Sequence, residues 1–136
     1  MGKALLYIIS AIFMVFNSHA QNYIGLHKDE IIQLMHENKR NFRLNTSNIN
    51  NSYNYLKYED KISEQTMLFF LSKNDTCKYV RLMSDYSNLN DVLNDLDTKY
   101  KKAGKDKWTY VDKGKDYVVE MSEGDWYFTV TIKPEN

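Results

Sequence analysis

The alternation of apolar and polar residues near the C-terminus is the feature that most constrains the fold. The runs "KWTYV" and "DYVVEMS" flank Lys113-Gly114, and "DWYFTVTI" follows Glu123-Gly124. Two-residue turns at both dipeptides predict three antiparallel strands in a meander. In that register one face carries the large apolar side chains, namely Trp108, Tyr110, Tyr117, Val119, Met121, Trp126, Phe128 and Val130. The pattern therefore predicts a sheet with this face turned toward a core.

An earlier segment predicts three further strands. "SYNYLKYED" is followed by "TMLFFLS" and "TCKYVRLM", which flank Lys73-Asn74-Asp75 and predict a hairpin. A two-residue turn at Asn74-Asp75 would place Phe69 opposite Val80 and Leu71 opposite Lys78. That face is apolar, and the other face is far from polar, since it carries Leu68, Phe70, Tyr79, Arg81 and Met83. We therefore expect this hairpin to be central in the sheet, and either covered on both sides or lining a cavity.

Each set of strands is preceded by an amphipathic helix. "LHKDEIIQLMHENKR" predicts a helix over 27–39, with acidic residues first and basic residues last. "SNLNDVLNDLDTKYKKAG" predicts a second helix, capped by Ser87 or Asn88 and ended by Gly104, with the first lysines of the segment in its last turn. Its apolar stripe is Leu89, Val92, Leu93, Leu96, Tyr100 and Ala103. The predicted fold is α+β, with two amphipathic helices packed on antiparallel sheet in the order helix, three strands, helix, three strands.

The first twenty residues have the pattern of a signal peptide. A basic start, "MGK", precedes the apolar run "ALLYIISAIFMVF", and Ser18-x-Ala20 supplies small residues for cleavage before Gln21. A helix of this run spans about 20 Å, against a bilayer core of about 30 Å. Residues 1–20 are thus predicted to be removed, and residues 21–136 to form a single domain, secreted or periplasmic, with no stable membrane insertion.

The charge and cysteine content exclude several classes of protein. The chain has 18 basic and 18 acidic residues, and loss of Lys3 with the signal peptide leaves a formal charge of −1. Because neutralising phosphates requires a basic surface, no nucleic acid partner is predicted, although "TKYKKAGKDKWTYVDKGKDY" mixes lysines with aromatic residues. Cys77 is the only cysteine, so no internal disulfide forms. We favour a buried Cys77 on a strand over a free thiol that pairs between chains.

The sequence offers few groups for chemistry. His27 and His36 lie nine residues apart on one helix and project from opposite sides, so they do not make a metal pair. The sequence predicts no catalytic, cofactor-binding or metal-binding residue. The preferred hypothesis is an exported non-catalytic binding domain whose partner is another protein or a cell-envelope component. The alternative is a small secreted hydrolase or other enzyme without a recognisable motif. A structural envelope role is a third hypothesis, which a stable homo-oligomer would favour, and the sequence leaves the oligomeric state open.

Tyrosine is the residue type that points to a binding surface. Four tyrosines have no core role in the predicted strands: Tyr53, Tyr55, Tyr58 and Tyr127. Outward-facing tyrosines supply large, rigid and amphipathic contact area, and contact hot spots are enriched in them. These four residues are the predicted binding residues.

The segment "YIGLHKDEIIQLM" is similar to the opening of small exported bacterial domains related to the outer-membrane assembly lipoproteins and to β-lactamase-inhibitor-like proteins. Gly25, Leu26 and Glu30 match that pattern, whereas His27 stands where those domains have a capping hydroxyl, and the lipobox cysteine of the lipoprotein branch is absent. The similarity covers 13 of the 136 residues. It implies a non-catalytic role in the envelope, in contact with another protein.

Overall fold

A computed structural model describes residues 22–46 and 54–136 as two helices and eight strands. The elements are α1 (Lys28–Asn38), β1 (Arg43–Leu44), β2 (Tyr55–Asp60), β3 (Gln65–Leu71), β4 (Cys77–Ser84), a short 3-10 turn (Tyr86–Asn88), α2 (Leu89–Lys99), β5 (Lys101–Gly104), β6 (Lys107–Asp112), β7 (Lys115–Glu123) and β8 (Phe128–Pro134). All strands form one antiparallel sheet in the order β1-β2-β3-β4-β8-β7-β6-β5. The predicted signal peptide and Tyr53 lie outside the described residues. Neither described helix has the length and apolar character needed to cross a membrane.

The predicted order of helix, three strands, helix, three strands is wrong, because four strands follow each helix. The additional strands are β1 and β5, which form the two edges of the sheet. Residues of β5 had been assigned to the end of the second helix, but α2 stops at Lys99 and Tyr100 is extended, with φ −127° and ψ 164°. From Lys101 onward the main chain pairs with β6 instead. The coarser expectation, helices on an antiparallel sheet, agrees with the structure.

The chain consists of two consecutive units of the same order, each a helix followed by a four-stranded meander. Strands β1 to β4 pair in sequence order, and so do β5 to β8. The two meanders meet through their last strands, where Val80 pairs with Ile132 and Leu82 pairs with Val130. The centre of the sheet is therefore the junction between the two units.

Both helices pack on one face of the sheet, which we call the inner face. The first core cluster contains Ile31 and Met35 of α1 with Tyr23, Tyr58, Phe69, Leu71, Cys77 and Val80. The second contains Leu96 of α2 with Trp108, Val119, Met121, Phe128 and Val130. Ile132 packs against both clusters and joins them. Each unit thus buries the apolar stripe of its own helix.

The predicted stripe of α2 is confirmed for five of its six residues. Leu96 is 6% exposed, and the half-buried side chains of Leu89, Val92, Leu93 and Tyr100 pack against the same cluster. The sixth residue, Ala103, is exposed because it belongs to β5. The stripe therefore ends at Tyr100, the C-cap residue of α2.

The register of the β3–β4 hairpin is confirmed over most of its length. Phe69 pairs with Val80, as the sequence predicted. The register shifts next to Phe70, so Leu71 pairs with Cys77 rather than with Lys78. The turn is correspondingly longer than two residues and is closed by main-chain hydrogen bonds between Ser72 and Thr76 and between Asp75 and Ser72.

Only one of the two C-terminal turns has the predicted form. Asp112 pairs with Lys115 around Lys113-Gly114, whose φ angles of 51° and 76° suit a tight hairpin turn. The turn expected at Glu123-Gly124 is instead a four-residue loop over 124–127, because Glu123 pairs with Phe128. Trp126 lies in this loop and is 85% exposed, so its predicted place on the inner face is wrong.

His27 forms the N-cap of α1. Its Nδ1 accepts a hydrogen bond from the Asp29 N–H at 3.2 Å, and Glu30 Oε1 accepts one from the His27 N–H at 3.2 Å. This reciprocal pair satisfies the donors that a helix start leaves open. An imidazole thus fills the place of the capping hydroxyl, while His36 is exposed on the same helix.

Candidate functional site

The four predicted tyrosines do not form one surface. Tyr55 lies on the sheet face opposite the helices, which we call the outer face, where it is half-buried and pairs with Phe70. Tyr58 lies on the inner face, is 4% exposed and packs edge-on against Phe69, with ring centroids 5.8 Å apart. The expectation that Tyr58 faces outward is wrong, since the alternation along β2 turns it toward the core. Tyr53 lies outside the described residues.

Tyr127 belongs to a different region from Tyr55. It is 44% exposed and lies beside Trp126 in the loop between β7 and β8. Tyr55 is on β2, which is separated from β8 by two strands in the sheet, so at least about 14 Å lies between them across the strands. The two residues therefore cannot contribute to one small contact site.

A row of three aromatic rings crosses the outer face. Tyr55, Phe70 and Tyr79 occupy opposed positions on β2, β3 and β4. The rings of Phe70 and Tyr79 are stacked, with centroids 4.3 Å apart and planes inclined by 15°, and the Tyr55 ring is 6.2 Å from that of Phe70. The hairpin is central in the sheet, as predicted, but neither helix of the described chain packs on this side of it. The aromatic row is therefore not covered by a helix within residues 22–46 and 54–136.

Arg81 lies beside two rings of this aromatic row. Its guanidinium carbon lies 5.6 Å from the centroid of Phe70 and 5.8 Å from that of Tyr79. Its Nε donates to Thr131 Oγ1 at 3.3 Å. Cation–π contacts and one directional hydrogen bond thus hold the planar guanidinium in a defined orientation.

The lysines beside this row are paired with acidic residues. Lys57 Nζ lies 3.3 Å from Glu59 Oε1, and Lys133 Nζ lies 3.7 Å from Glu120 Oε2. Hydrogen bonds from the Asn45 amide and from Lys57 lower the pKa of Glu59, so its carboxylate stays charged. Within residues 22–46 and 54–136, Arg81 has no carboxylate partner.

The outer face is more positive than the rest of residues 21–136. By strand register it carries Arg43, Lys57, Arg81, Lys101, Lys107 and Lys133 against Glu59, Asp116 and Glu120, a formal charge of +3. The chain from Gln21 onward has 17 basic and 18 acidic residues, a formal charge of −1, so its remaining residues carry −4. Charge is therefore segregated between this face and the remainder of the domain.

A groove of about 890 Å³ separates the two helices on the inner side of the molecule. Its floor is apolar and consists of Met67, Val80, Leu82, Val130 and Ile132. Its rim has charges of both signs, including Lys39, Asp91 and the pair Asp95–Lys99, whose atoms lie 2.9 Å apart. The volume is typical of small-molecule sites. The inner side of the molecule thus has a concave site, whereas the outer face is flat.

The buried titratable groups are not prepared for catalysis. Cys77 is buried, as the sequence predicted, and burial raises the pKa of its thiol to about 12. Burial likewise raises the pKa of Tyr100 to about 12 and raises the pKa of Tyr110. These groups are protonated at neutral pH, so none of them is an activated nucleophile or base there. In the described part of the chain, no three His, Cys, Asp or Glu side chains are grouped to hold a metal ion.

Phe70, Tyr79 and Arg81 were not predicted as site residues. The alternation along the hairpin places all three side chains on the same face of the sheet. Arg81 is the one charged residue among apolar neighbours on that face, and this is the sequence feature that could have indicated a surface role. Comparisons of the chain with protein-family models, with curated proteins and with solved structures find no match. The geometry of the outer face therefore carries the functional argument.

Proposed function

We propose that this chain is an exported, non-catalytic domain that binds another protein or a cell-envelope component through its outer face. The observation that carries the proposal is the aromatic row Tyr55–Phe70–Tyr79, with Arg81 beside two of its rings, on a sheet face against which neither helix of the described residues packs. Aromatic residues, Met and Arg are enriched where protein interfaces are buried, whereas Lys and Glu are depleted. Met83 on the same face adds to this composition.

The departure from the usual composition of a solvated sheet face supports the proposal. An antiparallel sheet with one face in water normally has polar residues on that face. Here Leu68, Phe70, Tyr79 and Met83 occupy outer-face positions of β3 and β4 and are half-buried. Contiguous apolar surface on a folded domain marks interaction sites. A broad partner surface suits this flat area better than a small ligand does.

Export and the envelope setting of the proposal rest on the sequence. The signal-peptide pattern over 1–20 supports a secreted or periplasmic location. The similarity of "YIGLHKDEIIQLM" to the opening of assembly-lipoprotein and β-lactamase-inhibitor-like domains supports a role in contact with another protein. Both features are independent of the aromatic row.

Site-specific photo-crosslinking in the exporting host tests the proposal. A photoreactive phenylalanine analogue replaces Tyr79 on the outer face or, as the control, Asn94, which is exposed on α2. We expect a discrete crosslinked product from position 79 and none from position 94. Crosslinking from position 94 alone, or no product from position 79, would exclude the outer face as the binding surface.

A further inference from the structure

We infer that the partner presents a carboxylate to Arg81, so that the outer face binds an acidic protein segment. The inference rests on the proposed function and specifies its partner chemistry. The site comprises the Arg81 guanidinium with the Phe70 and Tyr79 rings beside it. An Asp or Glu side chain flanked by apolar residues matches both parts of this site.

The first argument is the orientation of the guanidinium. Two ring contacts and the bond from Nε to Thr131 Oγ1 fix Arg81, so little side-chain freedom remains to be lost on binding. A guanidinium has five N–H donors, and the described contacts use the one on Nε. The Nη donors form the planar fork that binds a carboxylate through two parallel hydrogen bonds. The side chain is therefore preorganised for a carboxylate.

The second argument is charge. The Lys57–Glu59 and Lys133–Glu120 pairs compensate the cations on either side, which leaves Arg81 as the uncompensated cation of the aromatic row. The outer face carries a formal charge of +3 and the rest of residues 21–136 carries −4, so an acidic segment is drawn to this face rather than elsewhere. A polyphosphate backbone would require several uncompensated cations in a line.

The third argument is the apolar surround. Phe70, Tyr79 and Leu68 border Arg81 and would exclude water once a partner covers them. A charge-assisted hydrogen bond is stronger when the local dielectric is low. The rings also provide contact area for apolar residues beside the carboxylate. The site therefore favours an acidic residue within an apolar segment over an isolated anion.

A peptide titration tests the inference without knowledge of the natural partner. The probes are N-acetyl-Phe-Glu-Phe-amide and its isostere N-acetyl-Phe-Gln-Phe-amide, added to the full exported protein while NMR follows the Arg81 Nε–H and the Tyr79 ring. We expect the Glu peptide to bind about tenfold more tightly, the ratio that one charge-assisted hydrogen bond supports. Equal binding of the two peptides would overturn the inference.

Protein variants locate the effect. Arg81→Gln should remove the preference for the Glu peptide, and Arg81→Lys should retain only part of it because an ammonium lacks the planar fork. Arg40→Gln makes the same charge change at an exposed position away from the outer face and should leave the preference unchanged. Circular dichroism checks that each variant is folded. A preference that persists in Arg81→Gln, or tighter binding of an oligothymidylate than of the Glu peptide, would contradict the inference.

The two proposals fail in different ways. If position 79 still crosslinks with unchanged yield in the Arg81→Gln protein, protein binding by the outer face stands and the carboxylate inference fails. If position 79 gives no crosslink in the host, the proposed function fails. Shifts centred on Arg81 in the peptide titration would then still establish carboxylate binding at this site.

Discussion

Replacing Leu96 by Ala tests the packing of the second unit most directly. Leu96 is the one buried residue of α2, and it packs with Trp108, Val119 and Phe128. The substitution removes an isopropyl group, whose transfer is worth about 2.4 kcal/mol at about 0.8 kcal/mol per buried carbon. The cavity adds to this cost, but Leu96 borders the groove between the helices, so water can enter the space that is left. We expect a loss of about 3 kcal/mol, in the lower half of the usual range.

Two tryptophans of opposite exposure make the assay simple. Trp108 is fully buried in the cluster that contains Leu96, whereas Trp126 is exposed in a loop. In a Trp126→Phe background, the fluorescence of Trp108 alone reports unfolding in urea. The free energy of unfolding is then compared between the protein with Leu96 and the Leu96→Ala variant. The comparison is valid if the slope of the unfolding free energy against urea concentration is the same for both.

The matched control is Leu44→Ala, the same change at an edge-strand leucine that is 37% exposed. This control should cost well under half as much, since less apolar area is lost. A loss below about 1 kcal/mol for Leu96→Ala would refute the packing argument. It would mean that α2 does not close the core of the second unit.

Three further predictions concern processing, a hydrogen bond and pH. Mass spectrometry of the exported protein should find its N-terminus at Gln21, and a retained signal segment would contradict the predicted location. Trp108 Nε1 donates to Asp97 Oδ1 at 2.8 Å, so Asp97→Ala should cost about 1–3 kcal/mol by leaving a buried N–H unpaired, whereas Asp97→Asn keeps an acceptor and should cost less. Burial raises the pKa values of Cys77 and Tyr100 from 9.0 and 10.0 to about 12, so the folded state retains their protons at alkaline pH. The stabilisation from these two protonated groups should be complete below about pH 9 and should be lost as the pH rises toward 12. Urea unfolding between about pH 7 and 11 measures this loss. A free energy of unfolding that stays constant over that range would contradict the prediction.

Local patterns were sufficient to predict both described helices, though not the end of the second, and the registers of the β3–β4 and β6–β7 hairpins over most of their length. The pairing of Phe69 with Val80 follows from alternation on both sides of a turn, and the Lys113-Gly114 turn follows from a glycine that accepts positive φ. The start of α1 at His27 follows from the acidic residues after it. In each case the information lies within about ten residues of the chain.

The edge strands depended on contacts that the local pattern does not contain. Tyr100 and Ala103 continue the helical spacing of α2, and no proline interrupts "TKYKKAG". The helix nevertheless ends at Lys99, since residues 101–104 gain main-chain hydrogen bonds from β6. Strand β1 has two residues, too few for alternation to be recognised. Both elements are defined by a neighbour distant in sequence.

The sequence shows the apolar residues of the candidate site, but they were predicted to be buried. The second face of the β3–β4 hairpin, with Phe70, Tyr79 and Arg81, was recognised as apolar, and a cover or a cavity was expected over it. The number of helices and the face on which each packs are tertiary properties, and both helices pack on the inner face. Tyr58 was predicted as a binding residue because it had no core role in the predicted strands. The direction of its side chain depends on the register of β2, in which it pairs with Met67.

Strand β5 bears on whether copies of the protein can join into a continuous sheet. An edge strand offers unpaired N–H and C=O groups to any other strand, and lysines and bulges at an edge hinder such addition. Lys101 and Lys102 lie in β5, whose register shifts before Gly104, and the opposite edge, β1, has only two residues. Edge-to-edge polymerisation through either edge of this eight-stranded sheet is therefore disfavoured.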